Sequence, residues 1–179
     1  MKKKRWLQVG VLVLLLVQMI LPVRAYDFFS GRVYYPARAV TSHPRILMVG
    51  NSLTYTNNIP GLVQAMCVSS GIDATVESVT VGGHSLTQYM FPSNDWEKSI
   101  HQRLMSKLQN EKWDYVILQG MREEPLWKET TMRQAIGTLY PLIQNSGAQM
   151  VLYMTWAADF RTAGYDMDQV QAKVSDVYC

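Results

Sequence analysis

The chain has 179 residues, 48% hydrophobic and 17% charged, a composition that fits one globular domain and excludes a disordered chain. The formal charge of +3 misleads, because five of the 17 basic residues (Lys2, Lys3, Lys4, Arg5 and Arg24) fall in the first 25 positions, where there is no acidic residue. The remainder carries 12 basic and 14 acidic side chains, a net of −2, which gives no electrostatic reason to expect nucleic acid as a partner.

Residues 1–25 have the layout of a secretory signal peptide. Lys2 to Arg5 form a positive start, and Trp6 to Leu21 is an apolar stretch of 16 residues broken only by Gln8, Gly10 and Gln18. Val23-Arg24-Ala25 then presents small residues where a signal peptidase reads them. The stretch is shorter than the roughly 20 residues of a bilayer span. Cleavage after Ala25 is therefore expected, giving a secreted or periplasmic product with no membrane attachment. An uncleaved, membrane-tethered structural protein is the alternative. Of the two cysteines, Cys179 is the last residue and Cys67 lies in an apolar helical pattern, so Cys67 is expected to be a buried free thiol.

Residues 26–44, with Pro36 and Pro44, predict an irregular lead-in to a domain over 45–179. Ile46-Leu47-Met48-Val49, ending at Gly50, predicts a strand buried on both faces. Pro60 suits a first helical position, and Leu62, Val63, Met66 and Cys67 follow at helical spacing before Gly71. Ala74 to Val81 predicts a second strand, turning at Gly82-Gly83. Ser93-Asn94-Asp95 offers capping side chains for a helix carrying Trp96, Ile100, Leu104 and Leu108 on one face. Tyr115 to Leu118 is a third strand. A helix over Glu129 to Gln144 turns Met132, Ile136, Leu139, Leu142 and Ile143 inward, with Pro141 near its end and Gly147 beyond. Met150 to Met154 is a fourth strand, and Met167, Val170, Val174 and Val177 form one face of a last helix.

Strands alternating with helices predict an α/β fold: three α/β/α layers around a mostly parallel, flavodoxin-like sheet. In such sheets the working residues lie in loops at the C-terminal ends of the strands. The first strand leads there into Gly50-Asn51-Ser52-Leu53-Thr54. On this pentapeptide alone, a helix-capping turn and a catalytic serine fit equally well.

The run Ile46 to Thr54 resembles the first conserved block of the SGNH/GDSL hydrolases, in a Gly-Asn-Ser-x-Thr variant. Val81-Gly82-Gly83-His84-Ser85-Leu86 stands where that superfamily has its second block. Trp113-Asp114-Tyr115-Val116-Ile117-Leu118-Gln119-Gly120 stands where it has its third. The resemblance spans about Arg45 to Trp156. It implies a secreted ester hydrolase needing no cofactor, with Ser52 as nucleophile and a small-molecule or glycan acyl ester as substrate. The oxyanion hole implied is the N–H of Ser52, the N–H of Gly82 or Gly83, and a side-chain amide. Asn51, Gly82, His84 and Arg122 are expected to line the site.

Two features depart from the common pattern of the superfamily. Its third block is Gly-x-Asn-Asp, whereas this chain has Gln119-Gly120-Met121-Arg122; Gln119 matches the amide donor and is preferred to Arg122. Its Asp-x-x-His, which orients and supplies the general base, does not occur here. The histidines are His43, before the first strand; His101, on the Trp96 helix; and His84, which follows the glycine pair and is expected to shape the acyl pocket. The resemblance thus makes the chain a fragment lacking its last strand and its acid–base pair, and inactive alone. A non-catalytic carbohydrate-binding module on the same fold is the alternative. Asp159, Asp166 and Asp168 follow the fourth strand; helix capping at Asp166 or Asp168 is expected, with lining of the site the alternative. Trp113, Trp127, Tyr153 and Trp156 are expected to pack in the core, with sugar stacking the alternative for them. No metal-ligand spacing, phosphate loop or nucleotide fingerprint occurs.

Overall fold

A computed structural model describes residues 25–27, 32–34, 41–156 and 164–178. The chain divides into two compact units, Met1–Ala39 and Val40–Cys179. In the first, β1 (Ala25–Asp27) and β2 (Arg32–Tyr34) pair antiparallel, with Ala25 opposite Tyr34. This hairpin replaces part of the predicted irregular lead-in; three-residue strands are too short to show a period of two. The segment expected to be a signal peptide, before Ala25, lies outside the described residues.

The second unit is built on four parallel strands: β3 (Arg45–Gly50), β4 (Thr75–Thr80), β5 (Tyr115–Leu118) and β6 (Gln149–Leu152), in the spatial order β4-β3-β5-β6. Ile46 lies opposite Val76 on one side and Tyr115 on the other, and Tyr115 lies opposite Gln149. The connections contain α1 (Ser52–Tyr55), α2 (Ile59–Ser69), α3 (Leu86–Met90), α4 (Asp95–Asn110), α5 (Glu124–Trp127) and α6 (Glu129–Asn145), and α7 (Met167–Tyr178) follows β6. This is the predicted α/β architecture, a parallel sheet flanked by helices.

Alternation along the strands turns Leu47, Val49, Val79, Val116 and Leu118 to one face. There they form a continuous core with Leu86 and Tyr89 of α3, Leu104 and Leu108 of α4, and Met132, Leu139 and Ile143 of α6. Each buried side chain of this size stabilises the fold by about 1.5–3 kcal/mol relative to exposure, so this layer holds the domain together. The chain steps one way from β3 to β4 and the opposite way from β4 to β5 and β6. Right-handed crossovers then place α2 on the opposite face of the sheet from α4 and α6.

Helix α2 differs from its sequence reading. Leu62 and Met66 are 54% and 68% exposed, and Cys67 is a half-buried free thiol, not a buried one. Apolar spacing shows which residues share a stripe but not whether an element covers it. On α4, Ile100, Leu104 and Leu108 are buried as expected, while Trp96 is 59% exposed and its neighbour Glu97 is buried. The predicted caps are present: Asn94 Oδ1 accepts from the N–H of Glu97, and Asp166 Oδ1 from that of Gln169. Asp168 is exposed in the first turn of α7, and Asp159 lies outside the described residues.

The buried Glu97 carboxylate accepts from the backbone and hydroxyl of Ser93 and from Gln88 Nε2 of α3. The Ser93 backbone bond, then Gln88 and the Ser93 hydroxyl, hold its pKa down at about 2. A depressed carboxylate contributes stability above its unfolded pKa and loses it as pH falls towards the folded value. The melting temperature is therefore expected to fall between about pH 5 and pH 2. Glu97→Gln should melt lower at neutral pH and lose less on acidification, as thermal scans across that range would show.

Candidate active site

The direction of the crossovers reverses between β3 and β5, and in open parallel sheets such a point leaves a crevice at the strands' C-terminal ends. Ser52 follows β3 and Gln119 follows β5, so both border it. Asn51 is the N-cap of α1, in extended conformation, its Oδ1 accepting from the N–H of Leu53 at 3.0 Å. That cap fixes Ser52 as the first residue of α1, half-exposed, where its hydroxyl and backbone N–H bond to no described residue.

Three buried polar side chains join the three loops in pairs. Gln119, 1% exposed, reaches from the end of β5 to the serine loop, where its Oε1 accepts from Asn51 N–H at 3.0 Å and Thr54 Oγ1 at 2.8 Å. Its Nε2 donates to the Gly120 carbonyl. Asn51, 3% exposed, reaches from the serine loop to the turn after β4, where its Nδ2 donates to the His84 carbonyl at 3.0 Å. Glu124, 2% exposed, reaches from α5 to the first residues of α3, which directly follows that turn. Beneath them the Tyr89 hydroxyl sits 2.8 Å from the Gly50 carbonyl and 3.0 Å from that of Val79, and burial pushes its pKa up.

Gly82 and Gly83 are exposed in this turn. Gly83 has φ +65°, in the left-handed region where glycine is unstrained, and its N–H bonds to no described residue. A Cβ on Gly82 would lie 3.0 Å from the Tyr55 hydroxyl, so Tyr55 closes over the turn. Arg122 is half-exposed in the turn between β5 and α5.

The histidines are engaged elsewhere. His43 pairs with Asp73 at 3.0 Å in the loops before β3 and β4, the opposite end of the sheet from Ser52. His101 Nδ1 donates to the Tyr89 carbonyl at 2.7 Å. His84 is 1% exposed, its ring meeting Tyr89 and Trp96 edge-to-face at 4.6 and 5.6 Å between centroids. Burial lowers its pKa, opposed by the charges of Glu97 and Glu124, so the ring is held neutral. His84 touches the serine loop through its backbone carbonyl.

The aromatic residues separate. Trp113 is in the core, with the Arg45 guanidinium 4.4 Å from its ring centroid, and Tyr153 is half-buried. Trp127 and Trp156, also expected in the core, are 53% and 60% exposed. Trp156 follows the end of β6, and Trp127 is the last residue of the short helix α5. Trp127 borders a cleft of about 340 Å³ together with Ser85, Met121, Glu123, Glu124 and Lys128.

Thr54 belongs to the first sequence block, but no signal in the sequence marks Tyr55, Tyr89 or Glu124 for this site. The bonds of Glu124 to α3 span 37 and 38 positions; only its bond from Met121, three positions away, and the Pro125 helix start beside it are local.

The parallel sheet flanked by helices matches the α/β fold of the SGNH hydrolases, and it places a half-exposed serine at the topological switch point beside a glycine turn. Together with the three sequence blocks, this fold and the solved structures that share it support the SGNH/GDSL superfamily. No family model and no curated protein matches the sequence. Among solved structures, the chain is similar to a candidate SGNH hydrolase from Slackia heliotrinireducens, with 28% identity, a TM-score of 0.64, and coverage of 76% of this chain and 72% of the other. A DUF4886 family protein from Bacteroides uniformis shares the fold at 15% identity, TM-score 0.59, and coverage of 76% and 61%. So does a psychrotrophic esterase, EstA, from Pseudoalteromonas, at 13% identity, TM-score 0.54, and coverage of 75% and 71%.

Proposed function

We propose that this chain carries the nucleophile and oxyanion hole of an exported acyl-ester hydrolase. The observation that supports it best is the set of three buried links that gather the Ser52 loop, the Gly82-Gly83 turn and the β5 exit around one crevice. Ser52 Oγ attacks the ester carbonyl carbon while a general base takes its proton. The carbonyl oxygen becomes an oxyanion, which the N–H groups of Ser52 and Gly83 receive. Gln119 Nε2 is the third donor: one of its hydrogens serves the Gly120 carbonyl and the other serves the oxyanion. Collapse expels the alcohol, which takes back the proton held by the base; water, giving a proton to the same base, then attacks the acyl carbon, and the Ser52 oxygen leaves with that proton. The test is a fluorophosphonate probe on the intact protein, with the adduct mapped by mass spectrometry. Attachment at Ser52 is expected, and labelling of any other residue in its place rejects the reading.

A glycan acyl ester is the proposed substrate. Its support is the placement of Tyr55, Phe91, Trp96, Trp127 and Trp156, all exposed and all in segments that leave the C-terminal ends of strands. An aromatic platform contributes about 0.5–1.5 kcal/mol, or roughly two- to tenfold in affinity. Trp127→Ala is expected to raise KM for an acetylated oligosaccharide by that factor and to leave nitrophenyl acetate unaffected. Equal effects on both substrates would reject sugar stacking at Trp127. The buried His84 ring favours a second reading, a non-catalytic carbohydrate-binding module, which predicts oligosaccharide binding with no probe labelling.

A further inference from the structure

Glu124 is a carboxylate with almost no solvent exposure and four hydrogen-bond donors around it. Oε1 accepts from Thr87 N–H at 3.0 Å and Thr87 Oγ1 at 2.8 Å. Oε2 accepts from Leu86 N–H at 3.0 Å and Met121 N–H at 2.8 Å. Leu86 and Thr87 open α3, directly after the glycine turn, while Met121 belongs to the loop leaving β5. One side chain thus clamps the turn that bears Gly83 to the loop that bears Gln119. The packing leaves it no latitude, because a Cβ on Gly120 would lie 3.0 Å from Glu124 Oε2, 2.9 Å from the Tyr178 hydroxyl and 2.6 Å from Met132 Cε. The Tyr178 hydroxyl also accepts from Gly120 N–H at 3.0 Å, so α7 supports the same loop.

Gln119 joins the third loop to the first, and Asn51 joins the first to the second. Glu124 closes the triangle by joining the second to the third. A triangle is rigid only when all three sides are present.

We propose that Glu124 is a positioning residue for catalysis, setting the separation between the Gly83 N–H and the Gln119 amide. The proposal rests on the ester-hydrolase reading. Glu124 lies outside the three sequence blocks and does not touch the reacting atoms in this scheme; it acts through the backbone of two loops. Donors to an oxyanion work only when aimed at the place where the charge develops, so a shift of a few tenths of an ångström weakens transition-state binding more than substrate binding. Loss of the clamp should therefore appear in kcat rather than in KM.

The test uses the intact protein and Glu124→Gln, which keeps the side chain's size but turns an NH2 group towards backbone N–H donors. Expected is a fall in kcat for nitrophenyl acetate of about ten- to a hundredfold, with KM within about twofold. Fluorophosphonate labelling of Ser52 should slow in parallel. Glu124→Asp, which restores the charge, should recover part of the rate. Hydrogen exchange should quicken together in segments 82–87 and 120–122 and stay unchanged in β3. Labelling of Glu124→Gln at the wild-type rate, or unchanged exchange in both segments, overturns the proposal while leaving the hydrolase reading intact. Failure of wild-type protein to label at Ser52 sinks the hydrolase reading itself, and this proposal with it. If Glu124→Gln does not fold, Thr87→Val removes only the hydroxyl donor and should lower kcat about two- to fivefold; an unchanged kcat there overturns the clamp.

Discussion

Ser52→Ala is expected to bring ester cleavage by the intact protein down to the uncatalysed background, a loss on the order of 10⁵- to 10⁶-fold when the nucleophile of a serine hydrolase is removed. The same substitution should barely change the melting temperature. Ser52 is half-exposed and its hydroxyl bonds to no described residue, so its removal strands no buried partner. Alanine is also the best helix former, and position 52 is the first residue of α1. A stability change within about 1 kcal/mol is expected. The contrast is diagnostic, because a serine serving only as a turn or cap residue would show the reverse: measurable destabilisation and intact activity. Activity and probe labelling that survive Ser52→Ala would remove the nucleophile assignment.

The strands were legible because a strand buried on both faces must be a continuous apolar run, as Ile46 to Val49 and Tyr115 to Leu118 are. Asn94 and Asp166 were legible because capping is a local interaction between a side chain and an amide three residues on. The short helices α1, α3 and α5 were not, since four or five residues cannot display a period of 3.6. For the site, the sequence marked the ends of β3, β4 and β5 but not what ties them together. Gln119 to Asn51, Asn51 to His84 and Glu124 to Leu86 are separated by 68, 33 and 38 positions. Such contacts arise only when parallel strands bring their C-terminal ends to one edge. The exposure of Trp156 was hidden for a related reason: an aromatic beside a strand pattern packs inward only if a layer covers it, while Trp127 ends α5, a helix too short to show which face is covered.

Gly50→Ala carries the largest expected cost to stability. Gly50 is buried at the end of β3, and an added Cβ would lie 2.3 Å from Thr54 Oγ1 and 2.6 Å from Gln119 Oε1. These neighbours are side-chain atoms, which ordinarily move aside cheaply. Here each is pinned, since the Thr54 hydroxyl donates to Gln119 Oε1, which also accepts from Asn51 N–H, and both side chains are at most 1% exposed. Moving Gln119 away would leave a buried N–H and a buried hydroxyl without their acceptor, at about 1–3 kcal/mol each. Leaving it in place would overpack the site at a similar cost. Either route predicts a loss of about 3 kcal/mol or more and a fall in melting temperature of roughly 10 °C for a domain of this size. Gly137→Ala is the control: this glycine is exposed in α6, a Cβ there meets no atom within 4 Å, and alanine should stabilise the helix by about 0.5–1 kcal/mol. The same chemical change thus has opposite signs at two positions. If Gly50→Ala melts within about 0.5 kcal/mol of the wild type, Gln119 is not held as described. The linkage between the serine loop and the β5 exit would then have to be abandoned, because a strut that yields to one methyl group cannot fix the spacing of oxyanion donors.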